Sequence, residues 1–300
     1  MDVGVSGSHG LIGSALVAVL EARGDRVRRI VRGAATGDDA TWDIGAGTID
    51  TAALAGVDAV VHLAGEGIGT RRWSVEQKGR ILDSRVDGTR LLATALAALD
   101  PPPAVLVSAS AVGFYGDRGD EELTERSTAG TGFLADVVGG WEAATRQAKT
   151  AGIRVVHARS GLVLSTDGGA LKRQLIPFKL GVGGRVGSGR QYLSWITIDD
   201  EVGAILHCLA TESLAGPVNL TAPGPVTSAG FARALGAALH RPAVLPLPAA
   251  AVKLAFGAEM AKELLLSGQR VLPAELERTG YRFAHAEISD ALRWLVGRSR

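Results

Sequence analysis

The first twenty residues combine an apolar strand, a turn with three glycines and an Ala-rich helix. Residues 3–5 are apolar, Gly7, Gly10 and Gly13 follow, and residues 14–20 show helical periodicity. Such glycines permit a tight bend, close approach of the backbone to a pyrophosphate, and close packing of helix on strand. The helix N-terminus then presents free N–H groups to an anion. Because the chain contains 40 glycines, a plain Gly-rich turn is the alternative, but the position directly after a strand favours dinucleotide binding.

Short apolar runs alternate with helical patterns along the first half of the chain. The runs are rich in β-branched residues and predict buried parallel strands at 3–5, 27–31, 59–63, 105–107 and 153–158. Helical patterns lie between them at 11–22, 75–99 and 133–151. This alternation predicts the α/β class, with a Rossmann-type doubly wound parallel sheet.

The pattern loosens into Gly-rich loops after residue 160, where a smaller substrate lobe is expected to begin. A helix at 199–211 and a strand at 217–220 are predicted to return to the main sheet. We therefore expect a partly interleaved arrangement, with a cofactor domain at 1–165, rejoined by about 197–222, and a substrate lobe built from 166–196 and 223–300.

Composition excludes several classes of function. The chain has 32 Lys or Arg against 31 Asp or Glu and no long basic run, so neither a nucleic-acid footprint nor a membrane-surface patch is expected. Cys208 is the only cysteine, and the six histidines do not cluster, so no disulfide and no metal site are expected. The chain starts its first strand without a basic leader, which predicts a cytoplasmic protein. A small molecule is the expected partner, and monomer and homodimer both stay open.

The second predicted strand indicates the type of cofactor. It lacks the acidic residue that often accepts a hydrogen bond from the ribose 2′-OH of NAD. Arg32 stands at its carboxyl end instead, where a guanidinium can bind a 2′-phosphate, so NADP(H) is favoured over NAD. Asp43, after the next short apolar run, is a candidate to border the adenine, although it is also a typical turn former.

Three motifs resemble the extended and atypical short-chain dehydrogenase/reductase superfamily. They are Gly7-x-x-Gly10-x-x-Gly13, His62-Leu-Ala-Gly65, and the segment at 108–116. More specific blocks are similar to the "epimerase family protein" group of that superfamily, which ends in a C-terminal domain of unknown function. These blocks are Arg72-Trp73, Lys78, Ser84-Arg85, Trp141-Glu142, Ser194-Trp195 and the stretches at 187–191 and 266–273. The resemblance covers nearly the whole chain.

The resemblance implies a set of cofactor-binding residues. The pyrophosphate would be bound by Gly7, Ser8, Gly10, Leu11, Ile12 and Gly13. Arg32 would bind the 2′-phosphate, and Leu63, Ala64 and Gly65 would line the ribose on the nicotinamide side. Ser108 and Ser110 lie where the superfamily keeps its catalytic Ser or Thr. We assign Ser108 to the cofactor and Ser110 to catalysis.

The usual catalytic Tyr-x-x-x-Lys pair is absent, because the corresponding positions hold Leu134 and Val138. Its Lys lowers the Tyr pKa so that the phenol can transfer a proton, and neither apolar side chain can replace that function. The candidate catalytic residues are therefore Tyr115 as acid, Glu66 as base, Arg85 as positive charge and Ser110 as hydrogen-bond donor. A solvated loop acid is the alternative for Glu66, and a serine that bonds loop backbone is the alternative for Ser110.

Five further residues are expected to contact a substrate: Arg72, Lys78, Arg190, Gln191 and Trp195. The basic members suit an anionic ligand or an enolate-like intermediate. For Lys78, seven residues before Arg85, a solvated helix stripe is the alternative. For Trp195 the alternative is packing in the core.

Two functions fit these observations. The first is an NADP(H)-dependent oxidoreductase or epimerase that acts on a small polar substrate with a proton donor other than Tyr. The second is a non-catalytic NADP(H)-binding regulator that senses redox state and acts through a protein partner. The polar residues expected around the nicotinamide favour the enzyme, and the missing Tyr and Lys favour the regulator.

Overall fold

The computed structural model describes residues 1–298 as alternating strands and helices. The strands are β1 (Asp2–Ser6), β2 (Arg26–Val31), β3 (Ala40–Asp43), β4 (Thr48–Ile49), β5 (Ala59–His62), β6 (Val105–Ala111), β7 (Glu122–Leu123), β8 (Arg154–Ser160), β9 (Leu162–Leu164), β10 (Tyr192–Leu193), β11 (Trp195–Thr197), β12 (Gly216–Leu220), β13 (Val226–Thr227) and β14 (Arg270–Val271). The helices are α1 (Leu11–Ala22), α2 (Val75–Ala97), α3 (Phe133–Ala143), α4 (Arg146–Thr150), α5 (Gly169–Lys179), α6 (Ile198–Ala210), α7 (Ser228–Leu239), α8 (Ala249–Phe256), α9 (Ala258–Ala261), α10 (Ala274–Arg278) and α11 (Ile288–Gly297).

Eight strands form one sheet in the order β12-β8-β6-β5-β1-β2-β3-β4. All neighbours are parallel except β3 and β4, which form an antiparallel hairpin at the edge. The predicted α/β class and all five predicted parallel strands are confirmed. Strand order reverses between β1 and β5, and ligands of doubly wound sheets bind at the carboxyl ends of strands at such a reversal.

Helices cover both faces of this sheet. On one face α1 and α6 bury side chains such as Leu16 and Ile205 against Val5 and Val107. On the other face α2 packs on the sheet through residues such as Leu92. Fully burying an aliphatic side chain of this kind contributes about 1.5–3 kcal/mol, so both layers hold the strand ends in place.

The segment after residue 197 returns to the sheet, as predicted. Helix α6 packs on it, and β12 pairs with β8 in parallel register, Val218 opposite Ala158. A separate apolar cluster combines α5, α7 and α11, with Phe231 and Leu292 among its buried residues. This cluster supports the division into a cofactor domain and a substrate lobe, which stays a prediction.

Two sequence expectations need correction. The single helix expected at 133–151 is two helices, α3 and α4. The break falls at Thr145, whose hydroxyl donates to the Glu142 carbonyl at 2.7 Å and lies 2.9 Å from His157 Nε2. A Thr side chain that bonds to nearby backbone competes in this way with helical bonding. Strand β6 also extends beyond 105–107, so Ser108 and Ser110 lie inside the strand.

Candidate functional site

The glycine turn between β1 and α1 leaves no room for side chains. Gly7 has a positive φ of 68°, and a Cβ on Gly13 would lie 2.1 Å from the Gly7 carbonyl oxygen. Gly10 stands at the helix N-cap, where no side chain bonds to the first N–H groups of α1. Ser8 is buried beside His9. The predicted turn therefore presents backbone N–H groups, including those of Leu11 and Ile12, as an anion site requires.

The turn packs directly on the residues that follow β5. A Cβ on Gly7 would lie 2.8 Å from the Ala64 nitrogen, so only glycine permits this approach. The Ser6 hydroxyl accepts from the N–H of Leu63 at 3.2 Å and from that of Ala64 at 3.4 Å. The structure thus brings Leu63, Ala64 and Gly65 against the glycine turn, which is where the resemblance places the nicotinamide ribose.

A buried histidine supports this junction. His62 Nδ1 lies 2.6 Å from Ser6 Oγ, and its Nε2 lies 2.9 Å from Thr89 Oγ1 on α2. Burial lowers the pKa of His62 to about 4, so the imidazole is neutral at physiological pH. The neutral ring connects the end of β5 to α2 and keeps Ser6 oriented towards the loop.

Arg32 is open to a ligand. It is exposed just after β2 and has no hydrogen bond or ion pair within residues 1–298. The three arginines within β2 are committed, because Arg26 binds Asp38, Arg28 binds Asp2 and Arg29 binds Glu21. Of the four, only Arg32 offers a free guanidinium, and it lies beyond the strand end.

Asp43 ends β3 and forms a turn, the alternative that the sequence left open. Its Oδ1 accepts from the Ala46 N–H at 3.0 Å. The residue borders an open cavity of about 520 Å³. The cavity is lined by Gly33, Thr41, Trp42, Asp43, Thr48, Ile49 and Asp50. It lies beside the end of β2, where Asp43 was expected to border the adenine.

Arg85 and Glu66 meet next to Gly65. Arg85, on α2, donates to the Glu66 carbonyl at 2.8 Å, and its guanidinium carbon lies 3.3 Å from where a Gly65 Cβ would be. Burial lowers the pKa of Arg85 to about 10, which leaves it charged at neutral pH. The half-buried Glu66 carboxylate accepts from Gln77 Nε2 at 3.3 Å. A basic and an acidic residue therefore lie close together beside Gly65, on the side where the resemblance places the nicotinamide.

Ser110 is part of a buried ionic network that the sequence did not reveal. Its hydroxyl donates to Glu142 Oε1 at 2.6 Å. Arg159 binds both oxygens of Glu142 at 2.8 Å. Burial raises the pKa of Glu142, but hydrogen bonds from Arg159 and Ser110 and the arginine charge outweigh it, so that the pKa lies below its usual value. Ser108 lies two residues earlier on β6. It is buried, and its hydroxyl donates only a long hydrogen bond to the Ala109 carbonyl.

Tyr115 does not fit the proton donor expected of it. The side chain has no exposed surface, and its hydroxyl donates to Asn219 Oδ1 at 2.7 Å and accepts from Arg159 at 3.0 Å. Burial raises its phenol pKa despite the neighbouring arginine. The sequence pattern could not show this burial, because the partners lie on β8 and β12.

Trp195 is a core residue, the alternative that the sequence left open, and not a substrate contact. Its ring has no exposed surface, and its indole N–H donates to the Gly224 carbonyl at 2.8 Å. Gln191 is structural as well, since its amide donates to the carbonyls of Val186 and Leu265. Arg190 is exposed, and its side chain has no partner within residues 1–298.

Arg72 and Lys78 contact the C-terminal lobe rather than an open pocket. Arg72 donates to the Leu254 carbonyl at 2.5 Å on α8. Lys78 binds Glu259 at 2.6 Å, and its ammonium lies 4.5 Å from the centre of the Phe133 ring. Their expected role in substrate binding is therefore wrong for this conformation, in which both charges tie the cofactor domain to the lobe.

Two further acids were missed by sequence reasoning. Glu263 accepts from the N–H groups of Phe133 at 2.9 Å and Leu134 at 2.8 Å, and so caps α3 from a position 130 residues away. Glu201, in the first turn of α6, is buried and accepts from the Ser160 hydroxyl at 2.5 Å. Burial raises the pKa of Glu201 to about 8. No local spacing signals either contact.

Other site types find little support. Within residues 1–298 no group of three His, Cys, Asp or Glu side chains could hold a metal ion. No helix of the described chain has the length and apolarity needed to span a bilayer.

Comparisons with known proteins cover the whole chain. Residues 3–220 match the NAD dependent epimerase/dehydratase family, and residues 247–295 match a domain of unknown function, DUF1731. The epimerase family protein Mb2239 of Mycobacterium bovis is 50% identical over 99% of this chain and 98% of its own length.

Two solved structures share the fold. Human epimerase family protein SDR39U1 with NADPH superposes with a TM-score of 0.91 at 38% identity, over 99% of both chains. A nucleoside-diphosphate sugar epimerase from Corynebacterium glutamicum superposes with a TM-score of 0.83 at 35% identity, over 99% of this chain and 58% of that one.

Proposed function

This chain belongs to the NAD dependent epimerase/dehydratase family, and we propose that it is an NADP(H)-dependent oxidoreductase or epimerase acting on a small polar substrate. The proposal rests on one observation above all: an open glycine turn lies beside the residues that follow β5, and a free Arg32 lies just after β2. The 38% identity to a human protein crystallised with NADPH supports the same cofactor.

The residues present fit this cofactor. The N–H groups at the start of α1 bind the pyrophosphate, since Gly7, Gly10 and Gly13 add no side chains that would cover them. Arg32 binds the 2′-phosphate, and Asp43 borders the adenine beside the open cavity. Residues 63–65 line the nicotinamide ribose. Ser108 is buried on the neighbouring strand β6, opposite His62 at the end of β5. The bound nicotinamide supplies or accepts a hydride, which is the chemistry the chain itself lacks.

Proton handling falls to Glu66 and Arg85. Leu134 and Val138 cannot donate a proton, and Tyr115 is enclosed. Arg85 lies against Gly65 and stabilises negative charge on a substrate oxygen, while Glu66 takes or returns a proton. Ser110 is the candidate donor to a substrate oxygen, a role that requires its single hydroxyl proton to leave Glu142, to which it is donated at 2.6 Å.

The test uses binding and turnover separately. NADPH binding is measured by cofactor fluorescence, and NADPH consumption is measured across a panel of small carbonyl and imine compounds. Glu66→Gln and Arg85→Met are expected to keep cofactor binding and to lower turnover by about 10²–10⁴-fold. Glu76→Gln is the matched control, because Glu76 is an acid in the first turn of α2, the helix that carries Arg85. Turnover unchanged in both site variants would remove Glu66 and Arg85 from the reaction.

A non-catalytic regulator is the second candidate. The apolar Leu134 and Val138 favour it, as do Arg72 and Lys78, which bind the lobe instead of a substrate. This candidate predicts that a protein partner binds the NADP⁺ and NADPH forms with different affinity. Equal affinity for both forms, together with turnover of any panel compound, would exclude it.

A further inference from the structure

Two segments of the lobe run side by side and form one continuous surface. They are residues 168–190, which include α5, and residues 240–258, which include α8. The Leu247 N–H donates to the Arg185 carbonyl at 2.8 Å, and the Gly187 N–H donates to the Leu247 carbonyl at 2.9 Å. We refer to the surface of these two segments as the basic apolar face.

Aliphatic side chains are exposed along this face. Seven large ones are between 44% and 80% exposed: Ile176, Leu180, Val182, Val244, Leu245, Leu247 and Leu254. A single exposed leucine is ordinary, but soluble monomers rarely leave contiguous apolar patches larger than a few hundred Å². Within residues 1–298, seven of the twelve large hydrophobic side chains that are exposed lie on these two adjoining segments. The face is therefore a candidate interaction surface.

Its charges are all of one sign. The two segments carry seven Lys or Arg and no Asp or Glu, although the whole chain is nearly balanced at +1. None of the seven forms an ion pair within the described residues, and all are exposed. They are Lys172, Arg173, Lys179, Arg185, Arg190, Arg241 and Lys253.

Helix α5 shows how the two properties combine. Leu171, Leu175 and Phe178 bury one side of the helix in the lobe core. The other side exposes Ile176 together with Lys179, and Leu180 follows at the C-cap. A short helix that exposes aliphatic and cationic side chains together is typical of segments that lie in a membrane interface.

We propose that the basic apolar face docks on the surface of an anionic lipid bilayer. The aliphatic side chains enter the boundary between headgroups and acyl chains, and the cations around them contact lipid phosphates. This use goes beyond the proposed chemistry and does not depend on it.

Charge decides against a second copy of this chain. Two identical faces would bring fourteen unpaired cations together, and like charges across an interface oppose association. The side-chain types also argue against a protein partner, because neither segment contains the Tyr or Trp residues that anchor most protein interfaces. An anionic lipid surface supplies both the missing charge and an apolar layer.

The linear sequence gives no sign of this face. The expectation of no membrane-surface patch rested on the absence of a basic run, and the cations here come from two segments about fifty residues apart that only the fold brings together.

The experiment is vesicle co-sedimentation of the full chain with NADPH bound. Phosphatidylcholine vesicles are compared with vesicles that also contain phosphatidylglycerol, at low and high salt. We expect binding to the anionic vesicles only, and weaker binding at high salt. Lys179→Glu is expected to lower partitioning by roughly tenfold, since each basic residue near such a surface contributes about a factor of five to ten. Leu180→Ser is expected to lower it by several-fold.

Matched controls keep the interpretation sharp. Lys149→Glu makes the same change as Lys179→Glu on an exposed part of α4, and Val19→Ser replaces an exposed aliphatic side chain of α1 with serine, as Leu180→Ser does on the face. We expect both controls to bind like the wild type. NADPH affinity is expected to be unchanged in all four variants, which separates this proposal from the cofactor proposal. The inference is overturned by equal binding to neutral vesicles, by controls that lose as much binding as the face variants, or by a dimer that Leu180→Ser dissociates.

Discussion

Arg159 binds both carboxylate oxygens of Glu142 at 2.8 Å, with its guanidinium 3.5 Å from the centre of the Phe114 ring. The arginine is only 3% exposed, and it also donates to the Tyr115 hydroxyl. This pair joins β8 to α3 at the carboxyl ends of the strands. The buried Arg159 and Glu142 side chains thus pair through one bidentate contact, and Glu142 also accepts a hydrogen bond from Ser110.

Replacing Arg159 with Met is expected to lower the free energy of unfolding by about 3–5 kcal/mol, because Glu142 then stays buried without its partner. Urea denaturation measures the change. Arg146→Met, on the exposed side of α4, is the control and should change stability by less than about 0.5 kcal/mol. A loss below about 1 kcal/mol for Arg159→Met would show that water or another cation replaces the arginine.

His62 predicts a loss of stability in acid. Its folded pKa of about 4 lies below the unfolded value near 6.5, so its contribution is present above pH 6.5 and is lost as pH falls towards 4. Between pH 6.5 and pH 4, the free energy of unfolding of the wild type should fall by about 3 kcal/mol more than that of His62→Gln. Urea denaturation at several pH values measures both proteins. Parallel pH curves would mean that the folded imidazole titrates normally.

Glu201 predicts the opposite trend at higher pH. Its folded pKa of about 8 is raised, so stability is complete below the unfolded pKa near 4.5 and falls as pH rises towards 8. Glu201→Gln removes this dependence. Between pH 5 and pH 8 the free energy of unfolding of the variant should therefore rise by up to about 4 kcal/mol relative to that of the wild type. The same denaturation series measures it. Glu212→Gln, an exposed acid just beyond α6, should follow the wild-type curve.

Arg32 decides the choice between NADPH and NADH. Arg32→Ala should weaken NADPH binding by about 10- to 100-fold and leave NADH binding nearly unchanged, because only the 2′-phosphate loses a charged hydrogen-bond partner. Fluorescence titration with both cofactors gives the two affinities. Arg29→Ala, within β2 and paired with Glu21, is the control. Equal losses for both cofactors would place the 2′-phosphate elsewhere.

Local chemistry made the glycine turn and the parallel strands predictable. A bend that excludes side chains can be satisfied only by residues such as Gly7 and Gly13, so the requirement is visible in the sequence itself. Burial of Tyr115 was not visible, since it depends on strands that are distant in the chain, and for Trp195 the sequence offered core packing only as an alternative. The same holds for Lys78, whose charge looks free until Glu259 is brought to it.

The Glu263 cap on α3 has a consequence for synthesis of the protein. Helix α3 has no partner for its first N–H groups until residue 263 has been translated. Strand β7 likewise cannot pair until β14 has been made. Domains usually fold from the N-terminus as the chain emerges from the ribosome. Here the nucleotide-binding unit stays incomplete through most of translation. A prematurely terminated product therefore lacks both the Glu263 cap on α3 and the pairing of β7 with β14.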